Sequence, residues 1–328
     1  MEETISIILP AYNAGGYIVR TLKSVCGQTY SKLEIIVVDD GSTDNTLAIC
    51  KEYAKNDNRI KVYTKANEGV TKARDFGIGR ATGEFIGFVD SDDTIEPEMY
   101  EVLYNNIKKY DADISHCGYK TVDSDGNINY YHNTQILKLQ NNTEGIIDLI
   151  KGEEVEPSLC NKLYKNSLFS NLEYDKNLKI NEDYILNLFL FGRAKKSIFE
   201  DKPLYNYHLN DNSGSTKSTK EYFYKDILKA ADITERVFKG NAEIYPYAQR
   251  KWFKTYSSMY KNQSAYIFDK MEFDLQKLLS EVLQKLKEQY PRIKGNKCLN
   301  PADKFILFTV RYCPKLLVFI SKIRGGKI

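Results

Sequence analysis

Short apolar runs alternate with helix-patterned segments from Ile5 to Val89, and this alternation leaves few folds open to the chain. Ile5-Ser6-Ile7-Ile8-Leu9, closed by Pro10, reads as a buried strand, and Leu33 to Val38, Ile60 to Tyr63 and Glu84 to Val89 read as three more. Between them, Gly15 to Cys26 places Ile18, Leu22 and Val25 on one helical face. Asp44 to Lys55 carries Leu47, Ile49 and Tyr53, and Val70 to Arg80 is the third helix. Strands that alternate with helices build a parallel, doubly wound sheet. Ligands of such sheets bind beyond the carboxyl ends of the strands. Here those ends are polar: Tyr12-Asn13 follows the first strand, Asp39-Asp40 the second and Asp90 to Asp93 the fourth.

Composition narrows the class further. With 328 residues, 42% hydrophobic and 28% charged, the chain is long enough for a large core and is neither disordered nor low in complexity. A net charge of +3 argues against a nucleic-acid binder. The 25 Tyr suit polar, ring-shaped ligands. None of the six cysteines sits at CxxC spacing, so they read as reduced thiols of a cytoplasmic protein rather than a zinc site. Met1-Glu2-Glu3-Thr4 lacks the basic and apolar stretches of a leader, and no run of about 20 apolar residues is free of charge.

The strand-end acids carry the chemistry. Asp39 and Asp40 meet Gly41, which lets the chain turn sharply. A carboxylate there either accepts a hydrogen bond from a base N–H, such as uracil N3–H, or complements the next helix, with Ser42 as its cap. Asp90-Ser91-Asp92-Asp93 sets three carboxylates within four residues, which repel unless a cation or donor neutralises them. Mg²⁺ or Mn²⁺ takes oxygen ligands and leaves positions open for phosphate oxygens, so a metal-bridged diphosphate suits the cluster. The alternative is a solvated loop leading into a helix at Pro97.

Taken in order, these clusters resemble the family 2 glycosyltransferases of the GT-A fold. The matching text is Leu9-Pro10-Ala11-Tyr12-Asn13, Val37-Val38-Asp39-Asp40-Gly41-Ser42-Thr43-Asp44, Asn67-Glu68-Gly69-Val70 with Ala73-Arg74, and Gly83 through Asp93. The resemblance implies a Rossmann-like, mainly parallel sheet with helices on both faces, followed by a helical C-terminal region. It divides the chain into a catalytic domain at 1–220, with a nucleotide-binding half (1–115) and an acceptor half (116–220), and a helical region at 221–328. It implies that Asp40 holds the uracil with Asp39 beside it, and that Pro10, Ala11, Tyr12 and Asn13 line the nucleoside pocket. Asn67, Gly69 and Ser91 join this donor site, and Arg74 lies near the nucleotide. Asp92 and Asp93 match the metal and diphosphate acids, and Asp90 lies towards the ribose or sugar. The family's usual Asn after Arg74 is Asp75 here.

Further along, Ala112 to Gly118 reads as a strand, and Thr121 to Ile128 as a hairpin whose Asp125-Gly126 suits a two-residue primed turn. Asn161-Lys162-Leu163-Tyr164-Lys165 resembles a family segment at the sugar end of the cleft, preceded by Cys160 where relatives often carry an aromatic residue. Lys162 either neutralises phosphate or touches the acceptor, or is a snorkelling surface lysine. Ile180-Asn181-Glu182-Asp183-Tyr184 opens a helix with Ile185, Leu188, Phe189 and Phe191 on its apolar face. A carboxylate at a helix start in the cleft can take the proton of an acceptor hydroxyl. The resemblance assigns that role to Asp183, with Glu182 as second candidate, and the alternative is helix capping. His208 ends an alternating strand from Pro203, where it either ligates the metal or bonds a phosphate oxygen, or is structural. The polar loop from Leu209 to Thr216 would close over the diphosphate.

Helical text follows at Tyr222 to Phe238, Tyr245 to Ile267 and Lys270 to Gln289, with Pro291 as its stop. Met271, Phe273, Leu275, Leu278, Leu279, Val282, Leu283 and Leu286 form a core stripe. From Arg292 to Ile328 nine Lys/Arg face one acid, Asp303, and apolar residues are interleaved. A basic, amphipathic, broken helix suits an anionic membrane surface.

Together these features predict an inverting, metal-dependent enzyme using Mn²⁺ or Mg²⁺. It would move a hexose or N-acetylhexosamine from a UDP-sugar to a glycan hydroxyl without a covalent enzyme intermediate. A GDP-sugar is the alternative donor. The resemblance adds a setting: a lipid-linked intermediate of bacterial surface polysaccharide, at the inner face of the cell membrane, with a homodimer possible. The rivals are a sugar-nucleotide nucleotidyltransferase, whose Gly-rich basic loop the text after strand one lacks, and a non-catalytic nucleotide- or membrane-binding scaffold.

Overall fold

A computed structural model describes residues 2–131, 133–153, 155–210, 220–263 and 274–323. The chain divides into two compact units, one comprising residues 1–178 and 182–214, the other 179–181 and 215–328.

The first unit is built on a ten-stranded sheet. Its opening half is the expected alternation: β1 (Ile5–Ala11), α1 (Ile18–Cys26), β2 (Leu33–Asp39), α2 (Thr46–Asn56), β3 (Ile60–Thr64), α3 (Val70–Ile78) and β4 (Phe85–Phe88). β1 pairs in parallel with both β2 and β4, and β2 with β3. All seven residues of β1 and of β2 are buried, as strands covered on both faces must be, which is why each is a near-continuous apolar run. α1 seats Ile18, Leu22 and Val25 in the core, as its spacing predicts.

The second half departs from a purely parallel sheet. After β5 (Thr94–Ile95) and α4 (Met99–Tyr110) come β6 (Ile114–Val122), β7 (Ile128–Tyr130), β8 (Leu137–Asn141), α5 (Asn142–Lys151), β9 (Lys162–Lys165), α6 (Glu182–Arg193) and β10 (Lys196–His208). β9 inserts antiparallel between β4 and β6, while β10 runs parallel to β6. The order β3-β2-β1-β4-β9-β6-β10-β5 makes the sheet mixed. β6 therefore runs in the same direction as β4. The carboxyl ends of β1, β2, β3, β4, β6 and β10 and the amino end of β9 share one edge.

The hairpin of β6 and β7 forms, but its turn differs from the expected two-residue one. Asp123 N–H donates to Asn127 O (3.1 Å), enclosing three residues, with Gly126 at φ +82°. Asp123 Oδ1 accepts from the amides of Asp125 (3.0 Å) and Asn127 (2.8 Å), so the aspartate side chain selects the wider loop.

The second unit contains α7 (Glu221–Val237), α8 (Tyr245–Gln263), α9 (Leu275–Ile293), α10 (Pro301–Tyr312) and α11 (Pro314–Ile323). Leu275, Leu278, Leu279, Val282 and Leu286 of α9 enter a core with Tyr224, Trp252, Phe253, Leu307 and Val310, as the stripe predicts. Met271 and Phe273 lie outside the described residues. Pro291 does not stop the helix: it falls in the last turn of α9, which continues to Ile293. An Asn300–Asp303 capping box with Pro301 at the first turn starts α10. No helix among the described residues is long and apolar enough to cross a membrane.

Candidate active site

The polar strand ends lie at the shared edge and hold one another. Asn13, at φ +48°, gives its backbone N–H to Ser42 Oγ (3.0 Å) and accepts the Thr43 amide on Oδ1 (2.8 Å), tying the end of β1 to that of β2. Pro10 and Ala11 are buried, whereas Tyr12 is 51% exposed beside them. Ser42 is thus engaged with Asn13 and does not cap α2. Asp44, just before the helix, accepts the Thr46 amide instead (3.0 Å).

Asp39 and Asp40 are both buried and both face protein donors. Asp39 accepts from Thr64 Oγ1 (2.9 Å) and, more weakly, from the Ser42 amide (3.4 Å). Asp40 accepts from Lys65 Nζ (2.9 Å) and the amides of Glu68 (3.1 Å) and Gly69 (2.7 Å). The pair therefore fastens the loop between β3 and α3, on which Asn67 and Gly69 are exposed. A Cβ at Gly41, φ +74°, would sit 2.9 Å from the Asn67 amide nitrogen, so the close approach of the two loops needs glycine there. Lys65 was not among the residues the sequence singled out.

The centre of the site is Arg74, 4% exposed on α3. Its Nη2 donates to Asp90 Oδ1 (2.9 Å), and its Nη1 to Glu182 Oε1 (3.3 Å) and Asp183 Oδ1. The acid following β4 and the two acids opening α6 thus meet on one guanidinium. Burial, and then the neighbouring Asp183, raises the proton affinity of Glu182. Burial also raises that of Asp183, with Arg74 opposing and Asp90 reinforcing the shift. Ionisation of the acids in turn holds the Arg74 proton more firmly, against the effect of its burial. Asp75 turns to Tyr174 Oη (2.9 Å) and Lys176 Nζ (2.8 Å).

The Asp90–Asp93 cluster splits in two. Asp93, expected as a metal ligand, is 1% exposed, and its oxygens accept from Tyr205 Oη (2.7 Å) and the His208 amide (2.8 Å). It braces β10 and is buried away from the open edge. Burial, then Asp90 and Asp92, holds its proton well above the usual carboxylate range. His208 points its Nε2 at Thr94 Oγ1 (3.0 Å). Asp92 stays partly open, with Oδ2 accepting from Asn210 (3.0 Å). Burial and the nearby Asp90 raise its proton affinity too. Arg20 Nη2 grips the Asp92 carbonyl (2.6 Å), and Thr21 Oγ1 bonds the carbonyls of Ser91 (3.0 Å) and Asp93 (2.7 Å), so α1 shapes this loop. No group of three or more His, Cys, Asp and Glu that could hold a metal ion occurs among the described residues. The mutually repelling Asp90 and Asp92 still fit a hard divalent cation that takes only one or two protein carboxylates and completes its shell with phosphate oxygens and water.

Lys162 is neither a surface lysine nor open to a ligand. It is fully buried, and its ammonium donates to the Glu156 and Ser158 carbonyls (2.7 and 2.6 Å) and Asn161 Oδ1 (2.6 Å). Cys160 beside it is fully buried. The loop from Leu209 is described only to Asn210, so its expected closure through Thr216 lies outside the described residues. The main partners not anticipated are Tyr205, Arg20 and Asn187, none of which carries a motif. The alternating pattern of β10 was the one available signal, for Tyr205.

Residues 6–172 match the family described as Glycosyl transferase family 2. The glycosyltransferase GlyG of Streptococcus pneumoniae is 34% identical over 245 residues, covering 72% of this chain and 78% of GlyG. The chain belongs to glycosyltransferase family 2. GlyA of the same organism is also 34% identical, over 231 residues that are 68% of this glycosyltransferase but 33% of GlyA, so the chain spans a third of that relative's length. Staphylococcus aureus TarS residues 1–349, solved with UDP-GlcNAc, superimposes with a TM-score of 0.73 at 21% identity, covering 99% of this chain and 92% of that one. The glycosyltransferase thus has the GT-A fold, with helices following the catalytic sheet.

Proposed function

We propose that this glycosyltransferase moves a hexose or N-acetylhexosamine from a UDP-sugar to a glycan hydroxyl with inversion at the anomeric carbon. The convergence of Asp90, Glu182 and Asp183 on the buried Arg74 carries the reading. It holds a carboxylate at the start of a helix, on the edge where ligands of such sheets bind. The donor lies across residues 1–115, over the ends of β1, β2 and β4, and the acceptor against residues 116–220. Tyr12, Asn13 and Asn67 border the nucleoside, and Asp90 and Ser91 face the sugar. The acceptor hydroxyl attacks the anomeric carbon opposite the departing diphosphate, and Asp183 takes its proton as the new bond forms. Arg74 favours the ionised form of Asp183, against its burial. Bound at Asp92, a divalent cation supplies neutralisation of the diphosphate's charge. A UDP-sugar is favoured because TarS, of the same fold, was solved with UDP-GlcNAc.

The setting we infer is the surface of an anionic membrane, with a lipid-linked glycan as acceptor. Phe305 (52%), Phe308 (54%), Tyr312 (59%), Leu316 (42%) and Phe319 (59%) form an exposed row along α10 and α11. Lys304, Arg311 and Lys315 flank it, all exposed. Aromatic residues bordered by cations match an acyl–headgroup boundary of negative charge. Cosedimentation with phosphatidylglycerol vesicles should fall on Phe308→Ser with Phe319→Ser. A concentration-dependent dimer that the same changes dissolve would assign the face to a second copy instead.

The enzymatic test is a donor screen with Mn²⁺ and Mg²⁺ that reads free nucleoside diphosphate by mass. Asp183→Asn should bind donor and lose transfer by about 100-fold or more. Normal transfer by that variant would remove Asp183 as the base.

A further inference from the structure

The loop carrying Leu159 reaches the proposed base from behind and is gathered by a buried cation. Lys162 Nζ has three protons and gives them to the Glu156 carbonyl, the Ser158 carbonyl and Asn161 Oδ1. From α6, Asn187 Nδ2 closes on the same loop, donating to the carbonyls of Pro157 (2.7 Å) and Ser158 (3.1 Å). Its own Oδ1 is fixed by Tyr164 Oη (2.7 Å). With these carbonyls drawn inward, the next amide, that of Leu159, is presented to Asp183 Oδ2 at 3.4 Å. The other oxygen of Asp183 rests on Arg74.

We propose that Lys162 is a positioning residue, whose charge folds residues 156–161 so that the Leu159 amide orients Asp183 and favours its ionised form. It touches neither donor nor acceptor. The proposal rests on the reading of Asp183 as the base. The charged and titratable neighbours are consistent with it. Around Lys162 stand Glu156, Cys117, Cys160 and Asp183, which favour its charge, while burial opposes it and brings its pKa down to about 8. His116, on the adjoining strand, is kept neutral by burial and by Lys162, at about 3. Around Asp183 stand Arg74, Asp90, Glu182, Tyr164, Tyr174 and Cys160. A hydrogen bond to the ionised carboxylate lowers its pKa, so its loss raises the pH at which the base begins to work.

The test is steady-state kinetics of Lys162→Met, which keeps the chain length and removes charge and donors. The expected result is a kcat lower by about 10- to 100-fold, a donor KM within about twofold of wild type, and an acid limb of kcat moved to higher pH. Lys162→Gln retains an amide donor and should recover part of kcat while its acid limb stays displaced. If neither variant is soluble, Asn187→Ala weakens the same clamp with the ammonium still paired, and should lower kcat at unchanged donor KM. A wild-type kcat and acid limb in the soluble variants, while Asp183→Asn is inactive, overturns this proposal alone. A raised donor KM at unchanged kcat also overturns it, by placing Lys162 against the diphosphate. Full transfer by Asp183→Asn would instead overturn the base itself.

Discussion

Replacing Arg74 by methionine should damage both stability and chemistry, and the structure gives the size of each. The Arg74 side chain is 5% exposed, and its guanidinium meets Asp90, Glu182 and Asp183. Breaking a buried charged network by removing one partner costs about 3–5 kcal/mol. Asp90 is 32% exposed, so water screens much of its share, and the loss falls chiefly on Glu182 and Asp183, at 16% and 19%. At roughly 2–4 °C per kcal/mol for a domain of this size, melting should drop by about 6–20 °C. Without the cation, burial and Asp90 act on Asp183 with only the Leu159 amide and the Glu182 side chain to oppose them. Its pKa then rises further, and since the base works only when ionised, activity is lost from the acid side. The acid limb of kcat should therefore move to higher pH, since an adjacent guanidinium favours the ionised carboxylate. Arg74→Lys keeps the charge but not the planar fork, and should fall between. The assay is release of nucleoside diphosphate at saturating donor and acceptor across pH, beside a thermal melt. An Arg74→Met enzyme that melts within about 2 °C of wild type and keeps its acid limb would refute the reasoning.

Further predictions follow the acids outward. Asp92 and Asp93 hold protons more tightly in the folded protein than an ordinary aspartate does, so their contribution to the stability of the cation-free enzyme should fall as pH rises above about 4. Mn²⁺ or Mg²⁺ at about 100 times its Kd should return up to about 2.7 kcal/mol, read as a higher melting temperature. Asp92→Asn should melt higher than wild type without cation and respond little to it. Asp40→Ala deprives Lys65 and two amides of their acceptor and should lower melting of the ligand-free enzyme, at about 1.5–3 kcal/mol per charged hydrogen bond lost. An unchanged melt would mean that the carboxylate serves the ligand alone. Tyr205→Phe leaves Asp93 with one donor fewer, and a loss of about 1–3 kcal/mol in a denaturant titration is expected.

The first half of the sheet is legible in the sequence because central parallel strands, buried on both faces, leave continuous apolar runs that polar turns interrupt. β9 leaves no such trace. Lys162-Leu163-Tyr164-Lys165 sets two adjacent apolar residues between lysines, and only its pairing with β4 and β6, distant in sequence, makes it a strand. The same holds for side chains. Three acids in Asp90-Ser91-Asp92-Asp93 look equivalent in the text, yet Asp93 is turned inward by Tyr205 and the His208 amide, more than 110 residues later.

Lys162 shows why the sequence cannot divide such residues between structure and chemistry. Its acceptors are largely main-chain carbonyls, which every residue possesses and no pattern marks. A buried ammonium with three acceptors and a surface ammonium meeting a phosphate are therefore the same letter. What separates them is whether the fold has already satisfied the charge. Applied to the whole edge, that criterion leaves Asp90, Asp92, Glu182 and Asp183 as partly open carboxylates, and withdraws Asp40 and Asp93 into the frame that holds them. The reacting groups of this glycosyltransferase should then be the acids that the fold leaves partly exposed at this edge, and mutation of the buried ones should be felt first as lost stability.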